Sequence, residues 1–286
     1  MSTQKLLAIF TRTPLHVGAG TSVGAIDNPI IRERHTHFPM IPGSTIKGVL
    51  ADQWNDDNFQ RTPEGEIIFG KTDSEHAAAG VISFGEAKIL AFPVRSAKGC
   101  FAFVTSPLCL ERFKRDFNLK ELDVPKVQKD MTCMAGTAVA GEQNAVVLEE
   151  YRFDCVETFP KAWADKLISL LSEDPILSGS VDRFVLLSDA DMSYFVENAC
   201  IVSQHVAIDS STGTAKKGAL FNQEEVPSET LFYAPLTYFP RTRGDKQQQE
   251  KEAVDQLFSK YGEETLVQFG AKGTMGIGYC SVKLVK

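Results

Sequence analysis

Three short stretches in the first 50 residues carry side chains whose type and spacing suit chemistry. The first is a glycine-rich loop, His16-Val17-Gly18-Ala19-Gly20-Thr21-Ser22-Val23-Gly24, with Asp27 just beyond it and before Asn28-Pro29. A carboxylate after a flexible loop suits acid–base or metal-assisted chemistry, and equally suits an ordinary turn. The second is Gly43-Ser44-Thr45-Ile46-Lys47. At a helix start, free backbone N–H groups, two hydroxyls and an ammonium would converge in a way that suits a phosphodiester. The plainer reading makes Ser44 an N-cap and leaves Lys47 solvated. The third, His35-x-His37, sets two imidazoles at strand spacing with no third ligand nearby, so both read as surface histidines.

Several chemistries are disfavoured. Gly18-x-Gly20 follows a strand-like run, but a dinucleotide fingerprint needs a helix opening at its third glycine. Here Gly24 leads into a stretch containing Asn28-Pro29, where the residue before proline is biased away from helix. The six cysteines form no CxxC pair, which disfavours a zinc ribbon and a disulfide framework and favours free thiols. The longest apolar runs, such as residues 6–10, fall far short of the roughly 20 residues of a membrane helix. No membrane partner and no secretory leader is expected, which points to the cytoplasm. The 30 basic and 37 acidic residues leave a net charge of −7, which argues mildly against nucleic acid unless a local groove is basic.

The elements that must hold these residues read as follows. Residues 5–11 form a strand; the helix after Pro42 runs over 45–55, with Ile46, Val49, Leu50 and Trp54 on one face. Strands are expected over 81–89 and 99–105, a charged helix over 108–122, and a helix over 161–172 with Trp163, Leu167, Leu170 and Leu171 on one stripe. After a strand over 181–187, Ser188-Asp189-Ala190-Asp191 resembles a capping box opening a helix to about 199. Residues 200–235 alternate and are broken by Asp209-Ser210-Ser211-Thr212-Gly213, which predicts a long exposed hairpin. A helix over 246–261, a second glycine loop over 270–278 and a last strand over 279–285 complete the chain. Strands and helices mix without strict alternation, which favours α+β.

Taken in order, four pieces resemble a known family: TPLHVGAGTSVGAIDNPIIRE, FPMIPGSTIKGVLA, HVAIDSSTGTAKKGALFNQEEVPSETLFYAPL and FGAKGTMGIGYCSV. They resemble the RAMP-type backbone subunits of type III CRISPR effectors, most closely those of type III-B (Cmr). The pieces span both ends of the chain and an internal block.

The resemblance implies a single domain over 1–286 with an RRM-like, ferredoxin-type palm. Insertions would be a helical region over about 107–180 and a hairpin thumb over 200–235. It implies a subunit that stacks head to tail with copies of itself along a CRISPR guide RNA, among other Cmr-type subunits. Each thumb would displace a base of single-stranded target RNA paired to the guide, and Asp27 would cut beside it. A flipped nucleotide supplies in-line geometry for attack by its own 2′-OH. Aspartate is a poor base at neutral pH, so the expected chemistry is metal-assisted, with Asp27 holding Mg²⁺ or Mn²⁺ and a 2′,3′-cyclic phosphate as product. His16 and Glu229 are the possible catalytic helpers. RNA contacts fall to Gly18, Gly20, Ser44, Thr45, Lys47, Val206, Ile208, Phe221, Lys272 and Gly273, and Lys216, Lys217, Arg241 and Arg243 could add positive charge. The alternatives are a type III-A backbone subunit, a non-catalytic RNA scaffold and a guide-processing ribonuclease centred on His16.

Overall fold

A computed structural model describes residues 3–20, 25–71, 77–127 and 129–285, the Lys217 side chain excepted. The Thr21–Gly24 part of the first glycine loop therefore lies outside the described residues. Strands β1 (Thr3–Thr11) and β2 (Met40–Ile41) precede helices α1 (Gly43–Asp52) and α2 (Pro63–Phe69). The short strands β3 (Gly70–Lys71), β4 (Ala78–Ala79) and β5 (Ile82–Phe84) lead to β6 (Ala87–Ser96) and β7 (Cys100–Thr105). Next come α3 (Pro107–Phe117), β8 (Thr132–Ala135), β9 (Ala145–Leu148), β10 (Tyr151–Thr158), α4 (Lys161–Ile168), α5 (Pro175–Ser178), β11 (Phe184–Leu186) and α6 (Asp189–Asn198). The chain closes with β12 (Ile201–Ile208), β13 (Ala215–Glu225), β14 (Leu231–Tyr238), α7 (Asp245–Lys260), β15 (Thr265–Gln268) and β16 (Tyr279–Val285). The class is α+β, as expected.

One mixed sheet organises the chain, in the order β15-β16-β1-β14-β6-β7-β11-β8-β10-β9. Its second half closes on itself, because Ser96 at the end of β6 also pairs with Leu148 of β9. Six strands thus form a small barrel joined to an open sheet through β6. The first half of β6 pairs with β14 and its second half with β7. Strand β1 lies centrally, between β14 and β16. Its run LLAIF is buried on both faces: Leu7 and Ile9 join one core, Leu6, Ala8 and Phe10 the other. That is why the run is continuous rather than alternating. Each such side chain, fully buried, contributes roughly 1.5–3 kcal/mol, Ala8 less.

Helices cover both faces. Ile46 and Leu50 of α1 and Val254 and Leu257 of α7 pack on the Leu7 side, and Phe113 of α3 with Trp163 and Leu167 of α4 on the Leu6 side. The cap expected at Ser188 forms, with Ser188 Oγ accepting from the Asp191 N–H at 3.1 Å, while the Asp191 carboxylate accepts from Ser188 Oγ and the Met131 N–H.

Four expectations are corrected. Ser44 is not a cap: α1 starts at Gly43 after Pro42, whose carbonyl accepts from the Thr45 and Ile46 amides, and Ser44 stands exposed in the first turn. The 107–180 segment is not wholly helical, because β8, β9 and β10 within it build half of the barrel. The hairpin ends at Glu225 rather than 235; residues 231–235 belong to β14, where Leu231, Phe232 and Ala234 are buried in the main sheet. Strand β6 extends past the expected 89 to Ser96, and it is residues 92–96 that pair with β7.

Candidate functional site

The loop before α1 is laid against the root of the β12–β13 hairpin. The Asp27 N–H donates to Asn222 Oδ1 at 2.7 Å, and Asp27 Oδ2 accepts from the Asn222 N–H at 2.9 Å. Asn222 Nδ2 donates to the Ala25 carbonyl at 3.0 Å. The Asn28 N–H then donates to the Asn222 carbonyl and the Glu224 N–H to the Asn28 carbonyl. Asp27 itself is exposed, and its Oδ1 has no protein donor among the described residues.

His16 docks on the same strand two residues further along. Its Nδ1 lies 2.7 Å from the Glu224 carbonyl, which can only accept, so Nδ1 carries the proton and Nε2 of the neutral ring is left as an acceptor. Gly18 lies over that atom: a Cβ there would stand 3.0 Å from Nε2. The Glu224 carboxylate fixes the following segment, accepting from the Ile30 N–H at 3.1 Å and from Arg32 Nη2 at 2.5 Å. Arg32 Nη2 also donates to Cys200 Sγ at 3.3 Å, and burial pushes that thiol up to about 12, so it stays protonated near neutral pH.

The second glycine loop closes the cluster from the other side. The Ala271 N–H donates to the His16 carbonyl at 3.1 Å and the Gly278 N–H to the Pro14 carbonyl at 2.8 Å. Gly270 makes this approach possible: its φ is +75°, and a Cβ would fall 2.2 Å from the His16 carbonyl oxygen. Gln268 Nε2 donates to the carbonyls of Phe269, Gly270 and Ile277 and so folds the loop over itself. Gly273 opens its 3₁₀ turn, while Gly20 lies exposed at φ +98° in the first loop.

The remaining candidates sort by place. Phe221 sits at the hairpin root, its ring stacked on His205 at 5.3 Å with the Lys272 ammonium 5.1 Å from its centroid. Val206 and Ile208 lie further out on β12, 45% and 55% exposed, beside exposed Leu220. Glu229 occupies the turn into β14 with φ +65°; its N–H donates to the Thr11 carbonyl, and its side chain bonds to neither Asp27 nor His16. Lys47 and Ser44 line a groove of about 780 Å³ between α1 and α2. His35 and His37 are exposed beside Arg112 and Glu197, as expected of surface histidines. Arg241 donates to the Gly80 carbonyl. The side chain of Lys217 lies outside those described.

The structure also adds residues that the sequence reading missed. Asn222, Glu224 and Arg32 hold the Asp27 loop, and Arg61 and Lys71 share the groove with Lys47, next to Phe59, which is 85% exposed. A hint of the first group was present: Asn222-Gln223-Glu224-Glu225 is a polar run inside a strand, and its last three side chains are buried. Buried polar side chains must find partners, and here the partners are the neighbouring loop and strand.

Asp27, His16 and the terminal glycine loop thus meet at one hairpin root, where Asp27 Oδ1 and His16 Nε2 have no hydrogen-bond partner among the described residues. The CRISPR system Cmr endoribonuclease Cmr4 of Pyrococcus furiosus is 36% identical to this chain over 98% of it and 95% of the relative. The crystal structure of oligomeric Cmr4 from Pyrococcus furiosus superposes with a TM-score of 0.72 and 30% identity, covering 99% of this chain and 97% of that one. A chain from the type III-B Cmr-beta complex bound to cognate target RNA shares the fold, with a TM-score of 0.75, 18% identity and coverage of 99% and 97%. The RAMP superfamily profile matches residues 9–281, and the chain belongs to the RAMP superfamily.

Proposed function

We propose that this chain is the guide-RNA-binding backbone subunit of a type III-B CRISPR effector, stacked head to tail with its own copies and with other Cmr-type subunits, and that it cleaves the complementary target RNA at regular intervals. The Cmr4 relative carries the name endoribonuclease, which supports the activity. The observation that carries the mechanism is the bonded pair Asp27–Asn222. The carboxylate is fastened to the base of the projecting hairpin, so the element that would part the bases also fixes where the carboxylate stands. The open sheet around β1 serves as the RRM-like palm in this reading, and Val206 and Ile208 provide apolar surface for unstacked bases.

In the reaction, the flipped nucleotide presents its 2′-OH in line with its own phosphate. In this reading Nε2 of His16, whose ring is held by the bond from Nδ1 to the Glu224 carbonyl, would accept the 2′-OH proton. Gly18 and Gly20 let the RNA backbone approach, and Lys272 and Lys47 neutralise phosphates. Among the described residues no group of three metal-ligating side chains exists, so a divalent ion would rest on Asp27 Oδ1 with RNA oxygens and water around it, as Mg²⁺ tolerates. Such an ion, Mg²⁺ or Mn²⁺, would supply positive charge to the phosphorane. Glu229 is a further candidate for proton transfer to the leaving oxygen.

The test is a reconstituted complex with a guide and an end-labelled matched target, with and without divalent ion. Regularly spaced products ending in 2′,3′-cyclic phosphate support the reading; an intact target in every condition removes it. A second reading, a non-catalytic scaffold, draws on the use of Asp27 Oδ2 as a turn-forming acceptor. It requires Asp27→Asn to change nothing in cleavage.

A further inference from the structure

Between α6, which precedes the hairpin, and β10 lies a pocket of about 330 Å³ that the proposed reaction does not use. Tyr151 of β10 and Tyr194 and Phe195 of α6 form it. Their three rings are mutually close to perpendicular, at 79° for Tyr151–Tyr194, 81° for Tyr151–Phe195 and 77° for Tyr194–Phe195, with centroids 5.3–6.2 Å apart. Tyr151 and Tyr194 share a hydroxyl–hydroxyl bond of 2.6 Å, which ties strand to helix. Both rings stay open to solvent, 38% and 43% exposed, as does Met131 at 42%. Phe195 and Phe153 beneath them are buried, so the corner is backed by core and does not collapse.

The charged side chains that line the corner are acidic. They are Asp130 and Asp191. The nearby arginines are paired with other carboxylates, Arg152 with Asp154 and Arg95 with Glu149 and Glu150, and neither lines the pocket. Perpendicular aromatic faces rimmed by carboxylates attract a flat cation, and a guanidinium both stacks on aromatic faces and forks onto carboxylates. The same rim repels phosphates, which separates this surface from the lysine-bearing ones proposed for RNA. We infer that the Tyr151–Tyr194–Phe195 corner is a docking pocket for an arginine side chain displayed by a protein neighbour. The inference is independent of the cleavage reading, since a non-catalytic RAMP subunit would carry the same pocket.

The experiment uses the full chain and two probes that differ only in charge, N-acetyl-arginine methylamide and its neutral citrulline counterpart, followed by ligand-observed NMR. The arginine probe should bind roughly two- to fivefold tighter than the citrulline one, in line with the cation–π energy at exposed sites. Tyr194→Ala should lose that preference, while Tyr194→Phe, which keeps the ring, should retain it. Equal binding of both probes, or preferential binding of adenosine monophosphate, overturns the proposal. In the assembled complex, a benzophenone side chain in place of Tyr194 should crosslink to an arginine-containing protein segment. Adducts to RNA alone, or none, overturn it.

Discussion

Asp27 and Asn222, 195 positions apart, exchange two hydrogen bonds: amide to side-chain oxygen at 2.7 Å in one direction, and at 2.9 Å in the other. Asp27→Asn keeps the shape and an acceptor for Asn222 but removes the charge. It should abolish target cleavage and leave guide binding and assembly near wild type. Asn222→Ala keeps the charge and the backbone bond from the residue 222 N–H to Asp27 Oδ2, but removes the side-chain bonds to the Asp27 N–H and the Ala25 carbonyl and so loosens the loop. Loss of two bonds at about 0.5–1.5 kcal/mol each should slow cleavage by roughly tenfold or more, because small misplacements of a reacting group are costly. Product gels of both variants against wild type check this; full activity in Asp27→Asn removes the carboxylate from the chemistry.

The two glycines around His16 separate chemistry from stability. Gly18→Ala would crowd Nε2 with a new methyl group at 3.0 Å and should depress cleavage with little change in melting temperature. Gly270→Ala meets the His16 carbonyl at 2.2 Å from a positive φ. It should destabilise the fold by about 1–3 kcal/mol, visible as a lower melting temperature.

The α1–α2 groove gives a test by salt. Lys47→Ala and Lys71→Ala should each weaken guide RNA binding and reduce the slope of log affinity against log salt by about one unit per lost phosphate contact. Slopes identical to wild type would leave both lysines as solvated surface groups.

The hairpin can be shortened without touching the carboxylate only if Asn222 is spared. Replacing residues 206–220 with a short Gly/Ser linker retains the root and should leave the body folded, since both ends of the loop are held by strand pairing. Regular spacing of cuts should vanish, because unstacking a base step costs a few kcal/mol and nothing remains to supply it. An unaltered ladder on an end-labelled target would assign the register to another element.

Asp116 accepts from Lys88 Nζ at 2.8 Å, Arg115 Nε at 3.0 Å and the Tyr233 hydroxyl at 3.1 Å, tying α3 to β6 and β14. Burial alone would raise its pKa; the bonds from Lys88, Arg115 and Tyr233 outweigh it and hold the carboxyl below its ordinary value. A depressed native pKa stabilises the fold above the unfolded value, about 3.9, and that contribution is lost as pH falls through the native one. Lys88→Met should therefore cost about 1–3 kcal/mol at neutral pH, with the gap from wild type closing below about pH 4 in urea titrations.

Which parts were legible in the sequence follows from range. LLAIF in β1 and the Ser188–Asp191 cap are written in neighbouring residues, and both form as expected. Helix α2 was missed although Thr62-Pro63 is a start signal; Thr62 Oγ1 accepts from the Gly65 N–H, and the interior glycine hid the pattern. Strands β8 and β9 have four residues each and no periodicity to read; they exist because the barrel closes around them. Asp27 is singled out as a candidate by its loop and by resemblance. Its clamp is not, because nothing local in the sequence connects position 27 to position 222.

Barrel closure through Ser96 and Leu148 has a consequence for colloidal behaviour. A strand row with two open ends offers two templates for edge-to-edge polymerisation. Here one end of the row is sealed, and the other is β15, only four residues long. Among the described residues, the remaining long unpaired strand sides belong to the β12–β13 ribbon, which also exposes Val202, Val206, Ile208 and Leu220. Self-association of the free chain into fibrous or amorphous aggregates should therefore start at the ribbon, and covering the ribbon protects the body as well.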